Sequence, residues 1–168
     1  MTAYGLVIDG VHYVGGCDTR AGPYPFCDVL DLPSYSLAKS LFAGLGSLAL
    51  AREFPGVLDE RIADYVPACK AAGGWNDVRF RDALDMATGH FESVRYDEDE
   101  KSPAMLPFFI AEDHLTKIDF ACRHFPRRAA PGTQWVYRTI DTYVLGTALE
   151  AFVKQKLVML VASENGSD

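Results

Sequence analysis

The spacing of apolar residues changes character several times along the chain. Residues 4–8 and 11–16 alternate loosely between apolar and small or polar side chains, with Asp9-Gly10 between them. That dipeptide tolerates the left-handed φ values of a two-residue hairpin turn, so the pattern predicts two short strands joined there. Over 17–33 Gly, Pro and Asp mix with aromatics, which predicts an irregular connection. From Tyr35 the period becomes helical. Leu37, Leu41, Leu45, Leu48 and Arg52 share one stripe, and Ala38, Phe42 and Ala49 fill much of the remaining circumference. A helix apolar nearly all round is expected to be buried, entered at Ser34 as N-cap and ended by Pro55-Gly56.

Short helices are expected at 58–65 and 78–88, the second with Asn76-Asp77 as caps and Gly89 as its stop. The charged run 97–101 reads as a solvated loop, since adjacent carboxylates without an ordering Gly do not make a calcium loop. Two more helices are predicted, at 111–123 and 139–156. The second presents Ile140, Tyr143, Val144, Thr147, Ala148 and Ala151 on one face, and a brief apolar run and a polar tail follow it. Without an internal repeat or an evident linker, residues 1–168 read as a single domain.

Composition narrows the functional classes. The 168 residues are 49% hydrophobic and 23% charged, enough apolar mass for one packed core. Sixteen basic against 23 acidic residues give a net charge of −7, with no surplus of cations to displace counterions, which argues against nucleic acid as a partner. The longest apolar stretch, 41–51, is broken by Gly44, Gly46 and Ser47, so no membrane-spanning segment is expected. Met1-Thr2-Ala3-Tyr4 carries no basic residue before an apolar run, and the cytoplasm is the default expectation, with a periplasmic location left open. Cys17, Cys27, Cys69 and Cys122 contain no Cys-x-x-Cys pair and no histidine at ligand spacing, so no metal or other cofactor is expected. They read as free thiols, although Cys17 and Cys27 flank a Gly/Pro-rich stretch and could meet across a turn.

Candidate chemistry sits at Ser36-Leu37-Ala38-Lys39. Spacing i, i+3 on a helix puts a hydroxyl and an amine on one face. Burial of the lysine would favour its neutral, proton-accepting form, and the positive end of the helix favours negative charge at Ser36. Eight serines and six lysines in 168 residues give about 0.3 chance occurrences of this spacing, so the string carries weight through its setting. A second patch, Pro131-Gly132-Thr133-Gln134-Trp135-Val136-Tyr137, is a turn and an extended stretch that ends in a tyrosine just before a helix. Trp75, Trp135, Tyr24 and Phe26 read as packing or pocket wall.

At these residues the chain resembles a known family. Tyr35-Ser36-Leu37-Ala38-Lys39-Ser40 is similar to the nucleophile motif of the serine β-lactamase and penicillin-binding-protein superfamily. Pro131-Gly132, Trp135, Tyr137, Asp141 and Leu145-Gly146 resemble its tyrosine motif. The stretch 78–89, closing in Thr88-Gly89, resembles the helix and turn between those motifs in the branch of class C β-lactamases, D-alanyl-D-alanine carboxypeptidases, esterases and 6-aminohexanoate-dimer hydrolases. Tyr137-Arg138-Thr139 stands where class C β-lactamases carry Tyr-x-Asn, which turns the expectation from β-lactams toward esters and small amides.

The resemblance implies an α+β, β-lactamase-like fold in which a helical subdomain accompanies part of an antiparallel sheet. It also implies acyl transfer through a covalent serine ester on a small-molecule ester or amide, with Ser36 as nucleophile and Lys39 and Tyr137 sharing the proton work. The third motif of the superfamily, Lys-Thr-Gly or His-x-Gly, is not found. The expectation is therefore a partial domain without its C-terminal strands, either a homo-oligomer or a chain completed by another, with a non-catalytic assembly or binding module as the alternative.

Overall fold

A computed structural model describes residues 2–29 and 35–165. The chain divides into two compact units, residues 1–35 and 36–168. In the first, β1 (Thr2–Ile8) pairs antiparallel with β2 (Val11–Thr19), with Ile8 opposite Val11, Val7 opposite His12 and Gly5 opposite Val14. The turn is Asp9-Gly10, with φ +50° and +79°, so both residues take the left-handed values that such a tight hairpin demands. The hairpin thus forms where the alternation and the turn dipeptide place it. β2 runs on to Thr19, and Asp18 and Thr19 pair with the two-residue β3 (Gly22–Pro23). The stretch expected to be irregular therefore contains a sheet edge. It is tied by a disulfide between Cys17 and Cys27.

The second unit is helical, and its first segment departs from the expectation. Lys39–Gly44 winds as a π-helix, and α1 (Leu45–Glu53) continues it. Leu37, Leu41, Phe42, Leu45 and Leu48 are exposed and only Ser47 of α1 is buried, so this is not a core helix. A nearly all-round apolar pattern shows that several faces are hydrophobic; it does not say which of them find a partner within the same unit. Leu50, Ala51 and Phe54 do pack on the core, with Phe54 edge-on to Phe152 at 5.5 Å. The N-cap expected at Ser34 lies outside the described residues.

The core is built on α8 (Thr139–Asn165). Ile140, Val144, Leu145, Ala148 and Phe152 are buried at the i, i+4 spacing that stacks side chains on one helical face. Burial of each larger side chain contributes about 1.5–3 kcal/mol. Against this face lie α2 (Ile62–Tyr65), α4 (Phe80–Leu84) and α7 (His114–Arg123), with Trp75, Val66 and Val78 filling the gaps. α8 outruns its expected end, and Leu157 to Val161 are exposed on it. No helix among the described residues is long and apolar enough to cross a membrane.

Three further differences have identifiable causes. The N-cap of α4 is Arg79, whose N–H donates to the Asp82 carboxylate at 2.8 Å, while Asp77 pairs with Arg127 at 2.9 Å. Cys69, in α3 (Pro67–Ala72), is bonded to Cys122 in α7, so the cysteines read as free thiols form two disulfides. The second joins helices 53 residues apart, a tertiary contact that spacing in the sequence does not reveal. The charged run holds a helical turn, α5 (Glu98–Lys101), in which Asp99 is buried and accepts from the N–H groups of Glu92 and Ser93 at 2.9 Å.

Candidate active site

Ser36 opens the helical unit, and the N–H of Lys39 donates to its carbonyl at 3.0 Å, closing a first helical turn. Within that turn the Lys39 Nζ donates to Ser36 Oγ at 2.9 Å. The widened π-helical winding begins at Lys39, a distortion of a kind that recurs at functional sites. Ser36 is exposed and Lys39 half-buried. The expected deep burial of the lysine is not realised, because the helix around it lies at the surface.

Tyr137 arrives from the far end of the sequence. The stretch that carries it has no regular structure, and its position is set by backbone bonds to the segment that follows α4. The Gly132 N–H donates to the Ala87 carbonyl at 2.8 Å and the Val136 N–H to the Met86 carbonyl at 2.9 Å. The Gly89 carbonyl accepts from Arg128 and Ala129. Gly89 takes φ +83°, and a Cβ there would collide with the Ala129 carbonyl oxygen, so only glycine allows this close approach.

So held, the Tyr137 hydroxyl lies 3.2 Å from Lys39 Nζ and donates to Ser36 Oγ. Lys39 Nζ also stands 5.0 Å from the centre of the Tyr137 ring, within reach of its negative face. The three side chains singled out from the sequence therefore form a closed triangle of hydrogen bonds, although Tyr137 is 101 residues from Ser36.

Next to Tyr137 in the sequence, Arg138 belongs to a buried polar group to which the sequence reading gave no chemical role. Arg138 and Asp141 are ion-paired, and Thr88 Oγ1 accepts from Arg138 Nη2 at 2.9 Å and donates to Asp141 at 3.2 Å. All three are buried. Burial raises the Asp141 carboxyl to about 6, against the opposing pull of Arg138 and Thr88. The guanidinium stands 4.9 Å from the centre of the Phe125 ring. Arg138 and Asp141 at i, i+3 across a helix start, beside a Thr-Gly turn, were the available signals.

Nearby, His90 stacks on Trp75 with centroids 4.3 Å apart. Burial foremost, then Arg138 and Arg127, lowers its pKa to about 4. No group of three or more metal-ligating side chains is found among the described residues.

Comparison with curated proteins gave no match. The family model described as Beta-lactamase matches residues 32–159, more than three quarters of the chain and all three members of the triangle. This chain belongs to the Beta-lactamase family.

Proposed function

We propose that this protein is a serine hydrolase that acts on an ester or small amide through a covalent acyl-serine intermediate. The observation that carries this reading is the triangle of Ser36 Oγ, Lys39 Nζ and Tyr137 Oη, in which the hydroxyl of an exposed serine is bonded to both groups able to take its proton.

In the first half-reaction Ser36 Oγ bonds to the substrate carbonyl carbon while its proton passes to the Lys39–Tyr137 pair. The charge that develops on the carbonyl oxygen meets the N–H of Ser36. The bond from carbon to the leaving oxygen or nitrogen then breaks, and the pair returns the proton to the departing atom. In the second half-reaction the same pair accepts a proton from water, whose oxygen bonds to the acyl carbon. Ser36 Oγ leaves and recovers its hydrogen. The balance is ester plus water giving acid plus alcohol, or amide plus water giving acid plus amine.

Steady-state turnover of a small activated ester tests the reading. Wild type is expected to hydrolyse it and Ser36→Ala to fall to the uncatalysed background. Lys39→Met and Tyr137→Phe should each lose about 10²–10⁴-fold in kcat. Undiminished turnover by a folded Ser36→Ala protein would reject the assignment.

A further inference from the structure

Two exposed aromatic rings stand next to Tyr137, one member of the proposed proton-transferring pair. Tyr96 is 73% exposed and Trp135 48% exposed. Their rings are nearly parallel, 13° apart with centroids separated by 6.2 Å. Each also meets the Tyr137 ring, Tyr96 at 6.0 Å and Trp135 at 6.4 Å. The three rings form one cluster, with the Tyr137 hydroxyl bonded to Ser36.

Exposed aromatics on a surface loop ordinarily lose much side-chain freedom when they order on a ligand. Here the loop is fixed in advance. On the chain just after Tyr96, Asp99 is buried and holds the N–H groups of Glu92 and Ser93. Glu98 bonds Ser93 and Arg95, so the turn that presents Tyr96 is closed on both sides. Glu100 then reaches the start of α8, accepting from the N–H of Thr139 at 2.8 Å and from its hydroxyl. The anchors run from the loop of Tyr96 to a residue two positions beyond Tyr137. Trp135 is set by the bond from Val136 to Met86. The chain that presents both exposed rings is thus tied down, and each ring lies against the Tyr137 ring.

We infer that Tyr96 and Trp135 form a stacking site for a flat aromatic group on the leaving side of the substrate, so that the preferred substrates are esters or amides of aromatic alcohols or amines. This rests on the proposed hydrolase reading. There the Lys39–Tyr137 pair returns the proton to the departing atom, which brings that atom to the pair and its substituent toward the rings that flank Tyr137. A planar ring adds an offset stack on Trp135 or Tyr96, whereas a saturated ring of equal size offers no π-face.

Benzyl acetate and cyclohexylmethyl acetate share an acyl group, leaving-group size and similar alcohol acidity, and differ in flatness. For wild type the ratio of kcat/KM, benzyl over cyclohexylmethyl, is expected to be about tenfold. It should fall toward one in Trp135→Leu and in Tyr96→Leu, and persist in Phe109→Leu, an exposed aromatic in α6 (Leu106–Ile110). Equal rates on the two esters by wild type, or a ratio that survives both cluster substitutions, would overturn the stacking site and leave the hydrolase reading standing. Failure of the folded protein to hydrolyse either ester would reject the hydrolase reading and the stacking site with it.

Discussion

Arg138 and Asp141, three residues apart and each with a side chain only 1% exposed, form a buried ion pair that starts one residue after Tyr137. Removal of one member of a buried pair strands the other charge in a low-dielectric interior, which costs about 3–5 kcal/mol. Asp141→Leu and Arg138→Met should each destabilise the protein by that amount in urea titrations. The double variant Arg138→Met/Asp141→Leu should lose less than the sum of the single changes, because no unpaired charge remains. Additive losses would show that the pair acts as two independent packing elements.

His90 makes stability depend on pH with a definite sign. Its pKa falls from about 6.5 to about 4 in the folded protein, chiefly through burial and secondarily through Arg138 and Arg127, while Asp77 and the Thr88 backbone oppose the fall. Between those values His90 binds more protons in the unfolded chain than in the native one, so its own contribution to stability rises with pH, while Asp141, raised to about 6 by burial, contributes with the opposite sign in the same window. The contribution is complete above pH 6.5 and is lost as pH falls through 4, about 3 kcal/mol in all. His90→Phe keeps a flat ring against Trp75, leaves the Asp141 contribution in place and should make the stability difference between variant and wild type change by that amount between pH 6.5 and 4. Parallel slopes for the two proteins would place the acid sensitivity elsewhere.

The disulfide Cys69–Cys122 closes a loop of 53 residues between α3 and α7, and the chain-entropy estimate for such a crosslink is about 4 kcal/mol. Paired Ala substitution at these positions should lower the denaturation midpoint more than paired substitution of Cys17 and Cys27, whose separation is 10. Alkylation of the unfolded, unreduced protein should modify no cysteine, because all four are bonded in pairs. Four modified thiols would contradict both bonds.

Elements specified by local chemistry were legible in the sequence. Asp9-Gly10 announces its turn because few other dipeptides accept two positive φ values, and the inner face of α8 follows from the spacing of Ile140, Val144 and Ala148. Ser36, Lys39 and Tyr137 were visible as motif positions, but their meeting depends on the Gly89 and Gly132 contacts, which are tertiary. Long-range arrangements left no periodic trace. Asp99 and Glu100 read as solvated charge because a carboxylate that anchors a loop and one that faces water look alike in a row of acids. The exposed helix 37–53 looked like core for the complementary reason, since hydrophobicity reports a need for cover and not the place where cover is found.

The central claim is that Ser36 becomes acylated with the help of Lys39 and Tyr137, and intact-protein mass spectrometry after incubation with an alkyl fluorophosphonate addresses it most directly. One adduct is expected, on the peptide that contains Ser36, forming much more slowly in Lys39→Met and Tyr137→Phe and absent in Ser36→Ala. A folded wild-type protein that gains no mass, or gains it at another residue, would contradict the claim.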